Sequence, residues 1–107
     1  MTTVTFLQRQ GRLIGFIASG HAGAGEAGED IVCAAVSAVT QQAAIAAEEM
    51  LSLPEAVESD EESARLSVVA AEGGESWVFL LRAQYLFLTR LAEQYPRNLN
   101  VTLMEVE

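Results

Sequence analysis

Residues 30–50 read DIVCAAVSAVTQQAAIAAEEM, and the order of elements on either side follows from how this stretch is read. Val32, Val36, Val39, Ala43, Ala46 and Met50 recur at intervals of four and three, the repeat that places apolar side chains on one face of an α-helix. Asp30 stands before the run as an N-cap, because its carboxylate accepts a backbone N–H two or three residues on. Leu53-Pro54 ends it, since proline has no N–H to continue the ladder. The expectation is a helix from about Asp30 to Met50 whose many alanines permit close approach to a sheet. Gln41 and Gln42 interrupt its apolar surface, and no other run approaches the ~20 apolar residues a bilayer requires, so no membrane span is expected.

Immediately upstream, residues 19–29 read SGHAGAGEAGE. Gly20, Gly23, Gly25 and Gly28 alternate with small alanines, so nothing here can anchor a core, and the segment reads as a surface loop. It carries the only histidine, His21, and the only cysteine, Cys33, follows twelve residues later as the third residue of the expected helix. Unpaired amides and the helix dipole favour an anion there by roughly 0.3–1 kcal/mol. That is less than the ~1.36 kcal/mol of a tenfold change in ionisation, and Asp30 opposes it. A thiolate at neutral pH therefore needs a base, and His21 is the only side chain that ordinarily titrates in that range. Cys33 as nucleophile and His21 as base form the one catalytic pairing that the composition permits.

Residue types alone leave other readings open. A lone cysteine in an alanine-rich helix also packs as a small hydrophobe, and a lone histidine among glycines is also simply solvated. A zinc site would need Glu26, Glu29 and Asp30 to complete four ligands, so no metal and no cofactor is expected. Thiol redox chemistry lacks a second cysteine to resolve a disulfide. Ser37, one turn after Cys33, can steady the site or merely bond a carbonyl of the preceding turn. Asp30 can cap the helix or orient the imidazole.

Before the loop, Thr3 to Leu7 and Arg12 to Ala18 are β-branched and apolar around a polar Gln8–Gly11, a hairpin in which Gly15 suggests a bulge or bend. After the first helix, Glu55 to Ser63 carries five carboxylates. It reads as a solvated connection with room for a short edge strand at Ala56–Ser59, or as a docking surface for a basic substrate. Arg65 to Ala71 is a strand with Leu66, Val68 and Ala70 on one face, ended by Gly73-Gly74. Glu75 to Tyr95 is a helix with two stripes, Val78, Leu81, Tyr85, Leu88, Ala92 and Trp77, Leu80, Gln84, Phe87, Leu91. Two apolar faces exceed what one sheet covers, which points to deeper burial or a homodimer contact through this helix. Asn98 to Glu107 alternates as a last strand. The order β-β-α-β-α-β describes a single α/β domain over residues 1–107, of the α+β type: a two-layer sandwich with two helices on one face of a mixed sheet.

The 107 residues suit one core, and a hydrophobic fraction of 50% with two prolines argues for a folded chain. One cysteine excludes an internal disulfide, and the absence of a charged-then-apolar leader suggests a cytoplasmic protein. Six basic against fifteen acidic residues give a net charge of −9. Such a surface is a poor partner for nucleic-acid phosphates and a good one for a basic polypeptide.

Gly20-His21-Ala22, Glu26, Gly28, Asp30-Ile31-Val32-Cys33-Ala34 and Ser37 together resemble the signature of the ribosomal-processing cysteine proteases of bacteria. The likeness is dense from residue 20 to residue 37. Beyond it the pattern is similar in chain length, in two N-terminal strands, in a late helix ending at Gln94-Tyr95-Pro96 and in a final strand. Ala24 and Ala27 depart from the family, where larger residues are common. The resemblance implies a His21–Cys33 dyad that removes an N-terminal extension from the twenty-seventh protein of the large ribosomal subunit, in a homodimer. Gly20, Gly23, Gly25, Glu26 and Gly28 would then form a loop that closes on a recognised segment. The rival reading is a non-catalytic acidic dimer that binds a basic ribosomal or assembly partner.

Overall fold

The computed structural model describes residues 1–20 and 29–107. Strands β1 (Thr2–Arg9) and β2 (Arg12–Ser19) form the expected hairpin. Gln10 and Gly11 join them, both at positive φ (52° and 79°), the two-residue turn whose twist matches that of the strands. Leu7 pairs with Gly15 and Gln8 with Leu13, so the bulged residue is Ile14. Gly15 beside it is required for a different reason: a Cβ there would lie 2.1 Å from the carbonyl oxygen of Val68 in the neighbouring strand.

Helix α1 (Glu29–Ile45) continues into a π-helical turn at Ala46–Met50, closed by the Leu51 amide donating to the Ala46 carbonyl at 3.0 Å. It starts one residue before the sequence expectation, so Asp30 lies inside the first turn rather than at the cap, and Cys33 is the fifth helical residue rather than the third. The buried face holds Val32, Val36, Thr40, Ala43, Ala44 and Ala47. Met50, expected on that face, is 80% exposed. The wider π turn takes an extra residue, so Ala47 is buried and Leu51 packs on the core together with Ala46, while Met50 is turned outward. Residues Asp30–Met50 have the length and mean hydropathy (1.4) of a membrane-crossing segment, contrary to the reading of Gln41 and Gln42 as a sufficient interruption. In this fold their apolar row covers the sheet.

A 3-10 turn at Pro54–Ala56 leads into β3 (Val57–Asp60), which pairs antiparallel with β4 (Arg65–Val69) from Val57↔Val68 to Asp60↔Arg65. The acidic segment thus does contribute an edge strand, and the order becomes β-β-α-β-β-α-β. Its side chains carry little strand propensity, so the pairing with β4 determines its conformation. Helix α2 (Gly74–Gln94) and β5 (Leu99–Glu105) complete the chain, β5 running parallel to β1 in a mixed sheet of order β3-β4-β2-β1-β5.

Thr2, Val4 and Phe6 of β1 share a sheet face with Phe16, Ala18 and Val68. Val32 and Val36 of α1 and Trp77, Leu81 and Leu88 of α2 pack into the same core, so both helices cover one side of the sheet. Each fully buried large side chain among them contributes roughly 1.5–3 kcal/mol of burial. Phe6 lies at the centre, 5.7 Å from the Phe16 ring and edge-on to Tyr85 at 5.2 Å. The Trp77 indole N–H donates to the bulged Ile14 carbonyl at 3.0 Å, and that oxygen also accepts the Ala70 amide at 2.8 Å. The two stripes of α2 are the edges of one broad face, with Trp77, Leu81, Gln84 and Leu88 along its middle. Helix α1 covers what the sheet does not: Gln84 Nε2 donates to the Val39 carbonyl and to Gln42 Oε1, both at 2.9 Å. Phe87, from the second stripe, is instead exposed, and so are Phe79 and Leu86 outside both stripes.

Candidate active site

Cys33 is half-buried at the edge of the α1 core row, next to fully buried Val32. A helical Cα–Cβ bond tilts toward the helix N-terminus, so this position directs the sulfur back over the first turn and down onto the start of β1. There Thr2 Oγ1 lies 3.8 Å from Cys33 Sγ. Thr2 is buried, and its amide donates to the Asn98 carbonyl at 2.9 Å, which ties the strand end to the turn before β5.

A cleft of about 240 Å³ opens over the sulfur. One side is formed by Ser19, Gly20, Cys33 and Ser37, the other by Ser59, Asp60, Glu61 and Arg65 of the β3–β4 hairpin. Gly20 is placed here by its backbone: φ is +94°, and a Cβ would lie 2.4 Å from the Met1 carbonyl oxygen. Only glycine has the conformation and the clearance that this junction needs. His21 is bonded directly to Gly20.

His21, Gly23, Gly25, Glu26 and Gly28 lie outside the described residues. Ser37 is exposed and lines the cleft one turn from Cys33. Asp30 is exposed in the first turn of α1. Among the described residues no group of three His, Cys, Asp or Glu side chains is placed to hold a metal ion. A larger apolar groove of about 580 Å³ lies between α1 and α2, lined by Ile45, Met50, Leu51, Trp77 and Leu80, with no titratable group on it. Cys33 is not among its walls.

Sequence patterns gave no sign of Thr2, and they offered the acidic segment of the hairpin wall only as one of two readings, without placing it beside Cys33. Thr2 is 31 residues from Cys33 and no local spacing links them. They meet because β1 starts beneath the first turn of α1. The hairpin reaches the cleft because β4 pairs with β2 and brings β3 along as the outer strand.

The profile of the family described as cysteine protease Prp matches residues 1–100. The chain belongs to the Prp family of cysteine proteases. No curated protein matches the sequence. Among solved structures, SMU.848 from Streptococcus mutans is 32% identical, with 99% of this chain and 96% of that one covered at a TM-score of 0.81. The Prp of Staphylococcus aureus, described as an essential ribosomal processing protease and solved with a covalently linked product peptide, is 25% identical. It covers 97% of this chain and 100% of its own at a TM-score of 0.78. The same enzyme with a substrate peptide, at 24% identity and a TM-score of 0.81, shares the fold. The two-layer arrangement of two helices on a five-stranded mixed sheet is thus the Prp fold, and Prp membership makes the chain an enzyme, a cysteine protease.

Proposed function

We propose that Cys33 is the nucleophile and His21 its base, in an endopeptidase that removes the N-terminal extension of the twenty-seventh protein of the large ribosomal subunit. The observation that carries this reading is a count: a cysteine protease needs a thiol, and this chain has one cysteine and one histidine. The half-buried sulfur opens to a cleft whose rim includes the residue bonded to His21, which suits attack on a bound chain.

His21 takes the proton of the Cys33 thiol, and the sulfur attacks the peptide carbonyl. The first amides of α1 have no intrahelical partners and are the donors for the oxyanion; the Cys33 amide, bonded within the helix, is not one of them. His21 then protonates the departing amine, leaving a thioester that water hydrolyses with His21 again as base. Ser37 steadies the cleft wall beside the sulfur, and Asp30, in the first turn, orients the imidazole rather than capping the helix. Gly20, Gly23, Gly25, Glu26 and Gly28 form the segment that closes on substrate, with specificity drawn from that ordering.

Asp60 and Glu61 on the hairpin wall, and the net charge of −9, favour a basic segment such as the N-terminus of a ribosomal protein. Similarity to the S. aureus ribosomal processing protease supports the same substrate class. Exposed Phe79, Leu86 and Phe87 of α2 suit a homodimer contact, and a reduced thiol suits the cytoplasm. The test is incubation with the precursor of that ribosomal protein, with mass spectrometry of the new N-terminus. The parent protein yields one defined cut, and Cys33→Ala yields none while keeping its fold. Cleavage by Cys33→Ala would end the nucleophile assignment.

A further inference from the structure

We propose that Thr2 is a positioning residue for Cys33: its hydroxyl, rooted in the sheet, donates a hydrogen bond to the sulfur and aims the thiolate at the cleft. The proposal rests on the reading of Cys33 as nucleophile. Thr2 is 4% exposed, and the partner of its hydroxyl among the described residues is Cys33 Sγ at 3.8 Å. Buried hydroxyls find partners, and the similarly buried Thr40 shows the ordinary solution: its Oγ1 donates to the Val36 carbonyl of its own helix at 2.8 Å. Thr2, in a strand, has no carbonyl of a preceding turn to use.

Its placement is rigid. The amide is held by the Asn98 carbonyl at 2.9 Å, and the residue sits in register with Leu99 of β5. A β-branched side chain in a strand has few χ1 choices, so the oxygen stays in place without help from the cleft. A hydroxyl bonds an anion more strongly and at shorter range than it bonds a neutral thiol. The contact therefore tightens as Cys33 gives up its proton, and its stabilisation goes to the nucleophilic form rather than to the resting thiol. Thr2 is almost closed to solvent, so it acts through Cys33 and not on substrate. Among the described residues, the charged groups that share the cleft with the sulfur are Asp60 and Glu61 of the hairpin and Arg65 of β4, and they are the same in every variant below.

The test compares Thr2→Val, which keeps the shape, with Thr2→Ser, which keeps the hydroxyl. The rate of Cys33 alkylation by iodoacetamide is followed from about pH 5 to about pH 9, with thermal unfolding in parallel. In Thr2→Val the midpoint of the alkylation profile moves up by about one pH unit, and kcat on a peptide carrying the ribosomal extension falls about tenfold at unchanged KM. Thr2→Ser retains both properties to within about twofold. The proposal is overturned if the Thr2→Val profile coincides with the parent's, including where its unfolding temperature alone has dropped, or if Thr2→Ser loses as much as Thr2→Val. Cys33→Ala separates the layers. If it still cleaves, the nucleophile assignment and this proposal fall together; if it is inert while Thr2→Val matches the parent, only the role of Thr2 is lost.

Discussion

Replacing Gly20 by alanine tests how the end of β2 is seated against the start of β1. Two costs act at this position. The φ of +94° lies where an L side chain meets its own backbone, at roughly 1–2 kcal/mol. The new Cβ would also stand 2.4 Å from the Met1 carbonyl oxygen and 3.3 Å from the Thr2 Cα. That is about 1 Å inside ordinary contact with backbone that cannot rotate away, an overpacking cost of roughly 1–3 kcal/mol. Gly11 provides the control, because its φ is +79° and a Cβ there would meet nothing within 4 Å. Gly11→Ala should therefore show the conformational cost alone, about 1–2 kcal/mol, and Gly20→Ala about 2–5 kcal/mol. Urea unfolding of the parent and both variants measures the two, with unchanged slopes confirming a common unfolded state. Equal losses for the two variants, within about 0.5 kcal/mol, would refute the steric argument. The displaced segment carries Thr2, so Gly20→Ala should also slow alkylation of Cys33 while Gly11→Ala leaves it alone.

Trp77→Phe removes the indole donor to Ile14 and leaves a partial void, but Ile14 keeps the Ala70 amide as a partner. The expected loss is about 2 kcal/mol in chemical unfolding, with Cys33 reactivity untouched. Asp60→Lys with Glu61→Lys reverses the charge of the hairpin wall. It should lower kcat/KM for a basic peptide several-fold at low salt, by a margin that shrinks as salt is added, and a salt-independent loss would point to a distorted cleft instead. Arg12 and Glu75 form an ion pair at 2.8 Å in which both side chains are largely exposed. Glu75→Gln should change the unfolding free energy by less than about 0.5 kcal/mol, and a larger effect would show that α2 depends on this tether.

Features under local control were legible in the order of residues. Periodicity located both long helices, because a buried helical face must repeat near 3.6 residues whatever lies opposite it. The polar break at Gln8–Gly11 marked the hairpin because a two-residue turn needs positive φ, and Gly11 supplies it readily. The signature from Gly20 to Ser37 led to the family for a similar reason: the residues that do chemistry are chosen one by one. Where local rules fell short, the misses were small and had causes. The π turn displaced Met50, the helix start passed Asp30, and one wide face of α2 looked like two.

Which residues share the cleft was settled by the packing of the elements. Gly15 reads as a bulge signal in sequence, yet its necessity comes from Val68, which reaches it only through sheet pairing. The acidic segment after Pro54 has no strand pattern of its own and becomes β3 because β4 offers an unpaired edge. Thr2 and Cys33 are far apart in the chain and meet only once β1 is clamped between β2 and β5 beneath α1. Spacing along a chain records contacts within one element; contacts between elements depend on register and layer order, which no local pattern encodes.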